Sequence, residues 1–202
     1  MIELFTAKTT NGQRAAIALL ESGLPHKIHV VDFKKKSKAF LKANPQGRVP
    51  ALADTAADGK AITVTQSWAI MNYVADKSGR FMPTTPRERA CCQEWLALFA
   101  TDLAPAFNMA YRIGTIAQDG DGKAKKMFQD RALGYFKQMD GALARSKYLA
   151  GDDITLADMA VYPSVVHGLS DFPGVAKLKN LQRWAKTMGA RPAVKKAMAI
   201  GA

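Results

Sequence analysis

A change of rhythm near residue 80 constrains the fold of this chain more than any other feature of its sequence. Before that point, short apolar runs with the length of strands alternate with helical segments, whereas the later periodic segments are helical. The first part contains a strand, a helix, a strand, a short helix, two strands joined by a turn at 57–59, and a helix. We predict strands at 2–5, 27–31, 49–53 and 61–64, and helices at 12–23, 37–43 and 66–78.

The order of these segments predicts a thioredoxin-like βαβ-α-ββα domain followed by an all-helical domain. A strand–helix–strand unit pairs its strands in parallel, and a short turn joins antiparallel strands. In the second part, Thr85 and Glu88 form a capping box that begins a long helix. Thr155 and Asp158 form another, before an apolar helix that we expect at the centre of that part. The predicted organisation is an α/β domain at 1–79, a linker at 80–85 and an all-α domain at 86–202.

Composition and charge favour a cytoplasmic protein. The 202 residues are 48% hydrophobic and 23% charged, which is ordinary for a globular protein. The N-terminus does not resemble a signal segment, and no apolar run approaches the roughly 20 residues of a membrane span, so we expect no membrane association.

The net charge of +12 suggests nucleic-acid binding, but the lysines are scattered in short clusters without interleaved aromatic residues. We therefore favour a basic surface that attracts small anions.

The cysteine and histidine positions argue against a disulfide and a metal site. Cys91 and Cys92 are neighbours in a helical stretch, where their side chains point about 100° apart, so we expect reduced thiols. His26, His29 and His167 lack the spacing of metal ligands. We expect no bound metal.

Four stretches, in this order and spacing, resemble the cytosolic glutathione S-transferase family over the whole chain. They are the strand-to-helix turn at 9–14, Asn44–Leu52, Thr65–Tyr73 and Asp152–Asp158. The resemblance implies a thioredoxin-like domain that binds glutathione as a co-substrate, and an all-helical domain that contributes an electrophile pocket. It also implies a homodimer and a role in detoxification.

The resemblance assigns the segment around Pro50 to glutathione binding. In the family, the proline of the Val-Pro pair follows a cis peptide bond, which exposes the backbone N–H and C=O of Val49. These groups would pair with the cysteinyl backbone of glutathione like an added strand. An ordinary trans proline at the start of a strand is the alternative. Arg48 is either a ligand of the glycyl carboxylate or a solvated surface arginine.

Gln66 and Ser67 begin a predicted helix, whose N–H groups and partial positive charge suit a carboxylate. In the family, the equivalent pair binds the γ-glutamyl end of glutathione. Capping of the helix by Thr65 or Ser67 is the simpler interpretation, and the two are compatible. Many members have an acidic residue where Gln66 stands, so a charge contact to the ligand amine is lost here.

The cluster Thr9-Thr10-Asn11-Gly12 stands where the family activates the glutathione sulfur. A free thiol titrates at about 8.5, so the enzyme has to stabilise the thiolate. Various classes use Tyr, Ser or Cys after the first strand, but this strand holds Phe5, and residues 1–21 contain none of the three. Thr9-x-Asn11-Gly12 resembles the bacterial Nu class, in which Thr and Asn donors hold the sulfurs and disulfide-bond reductase activity is characteristic.

Two alternatives remain for this cluster. Thr10 occupies a position where proline is common in the Nu class, and if Thr10 faces the sulfur, the site resembles the Ser-type theta class. In the second alternative, Asn11 caps the first helix, a position that suits asparagine, and has no catalytic role.

The predicted function is that of a glutathione transferase, with disulfide-bond reductase or peroxidase activity as variants of the same chemistry. Catalysis would consist of thiolate stabilisation and positioning, without a covalent enzyme intermediate. Phe107, Tyr111 and Arg112 are candidates for the electrophile pocket, although aromatic residues at helical spacing are more often core. The missing Tyr, Ser and Cys favour an alternative, a non-catalytic glutathione-transferase-like binding module. Charge-driven nucleic-acid binding would show a strong salt dependence.

Overall fold

The structure, a computed structural model, describes residues 1–55, 59–115, 122–172 and 174–201. Two residues of the predicted turn, 57 and 58, therefore lie outside the described residues. The chain divides into two compact units, Met1–Met82 with Gly189–Ala202, and Pro83–Met188. The strands are β1 (Ile2–Thr6), β2 (His26–Val30), β3 (Ala51–Thr55) and β4 (Ala61–Thr65). The helices are α1 (Thr10–Ser22), α2 (Lys38–Ala43), α3 (Ser67–Ser78), α4 (Pro86–Leu98), α5 (Ala104–Thr115), α6 (Lys123–Leu143), α7 (Leu156–Asp171), α8 (Lys179–Gly189) and α9 (Pro192–Met198).

Within the described residues, the first unit is built on one four-stranded sheet in the order β2-β1-β3-β4. β1 runs parallel to β2 and antiparallel to β3, and β3 runs antiparallel to β4. This arrangement confirms the predicted thioredoxin-like fold. β3 begins two residues later than predicted, after Pro50, which has no N–H to donate to a strand ladder.

Helix α1 forms the centre of the first unit because almost its whole surface is covered. It packs against β1, α3 and α9, and its residues from Gly12 to Leu19 are buried. Residues 189–202, which were predicted as part of the all-α domain, pack in the first unit instead. A bidentate ion pair from Arg191 to Glu21, with N–O distances of 2.6 and 2.7 Å, ties the start of α9 to α1. The predicted domain boundaries otherwise stay a prediction.

The second unit is helical and has the apolar helix α7 at its core, as predicted. Asp158, fully buried, accepts hydrogen bonds from the backbone of Leu149 and Thr155, each at 3.0 Å, and from the Trp184 indole at 2.8 Å. Burial raises the pKa of Asp158, and these hydrogen bonds act in the opposite direction. The capping box at Thr155 is thereby confirmed as part of the core.

The long helix predicted after residue 85 is interrupted. A five-residue π-helical turn, Phe99–Leu103, separates α4 from α5. No helix in the described parts of the chain is both long and apolar enough to cross a membrane. Among the same residues, no group of three or more His, Cys, Asp or Glu side chains has the arrangement of a metal site.

Candidate functional site

The sheet register brings three of the predicted binding segments to one end of the first unit. Phe5 of β1 lies opposite Ala51 of β3, which in turn lies opposite Thr65 of β4. Because adjacent strands here are antiparallel, the turn after β1, the segment before β3 and the turn after β4 leave the sheet at the same end. These segments are 7–12, 48–50 and 66–67.

The turn after β1 is shaped by Thr9, the N-cap of α1. Its hydroxyl oxygen accepts a hydrogen bond from the Gly12 N–H at 3.0 Å, and its own N–H donates to the Ala7 carbonyl at 2.7 Å. A hydroxyl that accepts one bond can still donate its proton, so the cap leaves the Thr9 O–H available to a ligand.

Gly12 allows α1 to begin directly against the end of β1. A Cβ at this position would lie 2.5 Å from the Ala7 carbonyl oxygen, 2.5 Å from the Thr6 hydroxyl and 3.1 Å from the Thr9 hydroxyl. These distances are too short for any side chain, because the nearest obstacle is main chain. The glycine that the sequence places after Asn11 therefore has a steric reason.

Asn11 does not cap α1, because Thr9 does. The Asn11 side chain is exposed in the first turn and makes no hydrogen bond to the part of the chain that the structure describes. Thr10, half-buried, begins the helix itself. The alternative that Asn11 only caps the helix is therefore wrong, and its side-chain amide is available to a ligand.

Arg14 is a feature of this site that the sequence analysis missed. Its side chain is fully buried in α1, and its Nε donates to the Thr10 carbonyl at 3.1 Å. Burial lowers the pKa of Arg14 to about 9, so the guanidinium stays charged at neutral pH. The only available signal was an arginine among the apolar positions of a helix, and that pattern more often marks an exposed edge.

The segment before β3 contains the predicted cis peptide bond, between Val49 and Pro50. Buried Asn44 shapes the loop before it: its amide donates to the Arg48 carbonyl at 2.6 Å and accepts from the Gln46 N–H at 3.1 Å. The N–H and C=O of Val49 have no hydrogen-bond partner among the described residues, whereas the Arg48 side chain is exposed. The peptide groups of Val49 are therefore available for strand-like pairing.

The start of α3 is strained and has no side-chain cap. Gln66 has φ of 70° and ψ of 120°, which is unusual for a residue with a side chain. Among the residues that the structure describes, no side chain provides a cap hydrogen bond to α3, so neither Thr65 nor Ser67 caps this helix. Strained backbone of this kind clusters at ligand sites, and uncapped N–H groups at a helix start form an anion site.

A buried carboxylate anchors α3 to the sheet. Asp54 of β3 accepts hydrogen bonds from the Tyr73 hydroxyl, at 2.7 Å, and from the Lys77 ammonium. Burial alone would raise the pKa of Asp54, but the bonds from Lys77 and Tyr73 outweigh it and hold the pKa below its usual value. This cluster fixes the helix that presents Gln66, and no sequence pattern predicted it.

The three candidates for an electrophile pocket lie on α5 and have different environments. Phe107 is 7% exposed and stacks on Phe172, with the ring centroids 5.0 Å apart. Tyr111 is 63% exposed, and Arg112 is also exposed. Phe107 is thus part of the core of the second unit, and Tyr111 and Arg112 lie on its surface.

Comparison with known proteins identifies relatives along nearly the whole chain. Residues 10–77 match the family described as glutathione S-transferase, N-terminal domain. Residues 107–199 match the family described as glutathione S-transferase, C-terminal domain. The chain is 31% identical over 214 residues to the disulfide-bond oxidoreductase YghU of Escherichia coli, covering 96% of this chain and 73% of that protein. It is 27% identical over 203 residues to the disulfide-bond oxidoreductase YfcG of the same organism, covering 98% and 94%.

A solved structure shows the same fold with a ligand. The chain superposes with a TM-score of 0.90 on a glutathione transferase family member from Pseudomonas fluorescens pf-5 that has two glutathione bound. The sequences are 25% identical, and the match covers 98% of this chain and 92% of that one.

Proposed function

Because the chain belongs to the glutathione S-transferase family, we propose that it is a glutathione-dependent enzyme that stabilises the glutathione thiolate for attack on an electrophile or a disulfide. One observation carries this proposal. Three segments with unused hydrogen-bonding groups, at 9–11, 48–49 and 66–67, leave the sheet at one end.

In the proposed complex, the two ends and the middle of glutathione contact different segments. The uncapped N–H groups of α3, with Gln66 and Ser67, hold the γ-glutamyl carboxylate. The peptide groups of Val49, before Pro50, pair with the cysteinyl backbone like an added strand. The exposed Arg48 donates to the glycyl carboxylate.

The glutathione sulfur then contacts the turn after β1. The Thr9 hydroxyl and the Asn11 amide are the donors, with Thr10 as the alternative to Thr9. The helix start and the buried Arg14 cation add positive potential, which favours the thiolate over the thiol. The nucleophile belongs to glutathione, so the absence of Tyr, Ser and Cys from this turn does not prevent catalysis.

Disulfide-bond reduction is the reaction we favour, with the Nu class as the assignment, since two relatives are named disulfide-bond oxidoreductases. The thiolate of one glutathione attacks a substrate sulfur, forms a mixed disulfide and releases the other substrate sulfur as a thiolate, which takes up a proton. A second glutathione then attacks the mixed disulfide, which yields glutathione disulfide and the second substrate thiol. We further propose a cytoplasmic homodimer, with detoxification or peroxide reduction as related roles.

The test is binding followed by turnover. Calorimetry with glutathione and glutathione disulfide should show binding at millimolar concentration or below, and small disulfides or chlorodinitrobenzene should be turned over. Asn11→Ala and Thr9→Val should each lower turnover by about tenfold or more, because one donor to the developing thiolate charge is lost. Gln182→Ala, which removes an exposed amide side chain on α8, is the control and should leave turnover unchanged. Absence of binding would refute the proposal.

The non-catalytic binding module is the competing function. It predicts glutathione binding without turnover of either substrate, and equal affinity in the wild type and in the Asn11→Ala variant. The role of Tyr111 and Arg112 in holding the second substrate is tested separately. Their alanine variants should raise KM for the second substrate and leave the affinity for glutathione unchanged.

A further inference from the structure

Helix α9 runs along α1 and ends beside the turn that follows β1. Arg191, at the start of α9, pairs with Glu21 near the C-terminal end of α1, with N–O distances of 2.6 and 2.7 Å. At the other end of α9, the Met198 carbonyl accepts a hydrogen bond at 3.5 Å from the Gln13 side-chain amide, near the N-terminal end of α1. Because the two contacts join opposite ends of the helices, α9 is antiparallel to α1. The residues after α9 are thereby directed toward the proposed sulfur-binding turn.

Residues 198–201, the C-terminal segment, reach the main chain of that turn. A Cβ on Gly201 would lie 3.5 Å from the Lys8 nitrogen and 3.5 Å from Val30 Cγ1, which are ordinary van der Waals distances. Lys8 directly precedes Thr9, and Val30 is the last residue of β2. The C-terminal segment therefore packs against the main chain directly before Thr9.

Gln13 links the C-terminal segment to the proposed sulfur donor. It is buried in α1, and its main-chain N–H donates to the Thr9 carbonyl at 2.8 Å. The Thr9 hydroxyl in turn accepts a hydrogen bond from the Gly12 N–H at 3.0 Å. Gln13 thus contacts α9 through its side chain and Thr9 through its main chain. A shift of Gln13 is transmitted to the residue that carries the donor.

The position of the Thr9 hydroxyl matters more for the sulfur than for the rest of glutathione. A misplacement of about 1 Å costs up to about a hundredfold in rate, because a donor stabilises developing charge only at short distance and good angle. The backbone and the carboxylates of glutathione would instead contact 48–50 and 66–67, which adjoin β3 and β4. Loss of the C-terminal segment should therefore lower the rate at the sulfur and leave the affinity for the rest of the molecule unchanged.

We propose that the C-terminal segment is a positioning element for the sulfur-binding turn, with Gln13 and Gly201 as its positioning residues. This inference rests on the proposed function, which supplies the thiolate. Gln13 and Gly201 act through Thr9 and its neighbour Lys8 and not on the sulfur itself. The packing of residues from the far end of the chain thus sets how well the Thr9 hydroxyl stabilises the thiolate.

A pair of glycines separates this role from general stability. Gly201 and Gly23 have positive φ angles of 70° and 73°, so alanine strains the backbone at both positions. A Cβ at Gly23 meets nothing within 4 Å, whereas a Cβ at Gly201 meets Lys8. Gly201→Ala should lower kcat about fivefold, because the strained segment moves away from the turn. Gly23→Ala is the matched control: it should lower the melting temperature by about 2–4 °C and leave kcat unchanged.

Two further variants remove the contacts in different ways. One ends the chain at Ile200, and the other, Gln13→Met, keeps the length of the side chain but removes its amide donor. Both should lower kcat about fivefold and raise the pKa of bound glutathione by about 0.5, measured by the ultraviolet absorbance of the thiolate. The affinity for S-methylglutathione, which has no thiol, should stay unchanged in calorimetry. A merely structural role would weaken the binding of both ligands together.

Hydrogen exchange tests the packing without any turnover. In the ligand-free protein, the variant that ends at Ile200 should exchange the amides of residues 7–13 about threefold faster than the wild type, and those of β3 at the same rate. Three results would each overturn the proposal: equal exchange at 7–13, equal kcat in Gly201→Ala and Gly23→Ala, or parallel losses of kcat and of S-methylglutathione affinity. A wild type that binds no glutathione would instead refute the proposed function, and the exchange rates would still decide whether the C-terminal segment holds the turn.

Discussion

Replacing Gly12 with alanine should destabilise the protein through a clash with the main chain. The new Cβ would lie 2.5 Å from the Ala7 carbonyl oxygen and 2.5 Å from the Thr6 hydroxyl, whereas ordinary contacts begin near 3.4 Å. Overpacking of this kind costs about 1–3 kcal/mol, and two such contacts justify the upper end. The higher helix propensity of alanine returns up to about 1 kcal/mol, so we expect a net loss of about 2 kcal/mol.

Gly134→Ala is the matched control because a Cβ at Gly134 of α6 meets nothing within 4 Å. This variant should gain about 1 kcal/mol from helix propensity alone. Urea unfolding of both variants, followed by circular dichroism, should therefore separate them by about 3 kcal/mol. The Gly12 variant should also lose turnover by up to about a hundredfold, since α1 and its Thr9 cap are displaced. Equal stabilities of the two variants would show that the junction of β1 and α1 adapts freely.

Three further perturbations test other parts of the structure. Gln66→Gly should relieve backbone strain, so stability should stay unchanged or rise by about 1 kcal/mol, whereas glutathione binding in calorimetry should weaken. A destabilised variant would show that the backbone at Gln66 is not strained. Because the pKa of Asp54 is lowered in the folded state, its carboxylate stabilises the fold above about pH 4, and this contribution disappears as the pH falls through the lowered value. Asp54→Asn should remove this pH dependence from acid unfolding curves. An unchanged curve would refute the role of Asp54. Trp184→Phe removes a donor to buried Asp158 and should cost about 2 kcal/mol in urea unfolding, whereas a loss under about 0.5 kcal/mol would mean that the carboxylate finds another donor.

The fold and the site differ in how far the sequence could predict them. The alternation of strands and helices in the first 79 residues depends on local periodicity, and the sheet order β2-β1-β3-β4 agrees with the topology that it predicted. The availability of Asn11, by contrast, depends on Thr9 acting as the cap, and both residues are good caps by sequence. A single hydrogen bond to Gly12 decides between them, which no propensity reveals.

Burial and backbone conformation are the properties that the sequence concealed. Arg14 is fully buried because α1 is enclosed by β1, α3 and α9, and the last of these helices comes from the far end of the chain. The positive φ of Gln66 likewise has no sequence signal, since glycine is the residue that usually adopts a positive φ. The burial of Arg14 depends on contacts between segments that are distant in sequence.

In the proposed complex, the turn after β1 would stabilise the glutathione thiolate electrostatically without a Tyr, Ser or Cys side chain. Lowering a thiol pKa from about 8.5 to about 6.5 requires roughly 2.7 kcal/mol. A charge-assisted hydrogen bond contributes about 1.5–3 kcal/mol and a helix N-terminus about 0.3–2 kcal/mol. In the proposed complex, one donor from Thr9 or Asn11 and the start of α1, whose first turn contains no acidic residue, would together contribute about 1.8–5 kcal/mol, a range that includes this requirement. The buried charge of Arg14 adds to both, and Arg14→Met should raise the pKa of bound glutathione, measured by the ultraviolet absorbance of the thiolate. An unchanged pKa would show that the hydrogen-bond donor and the helix start are sufficient on their own.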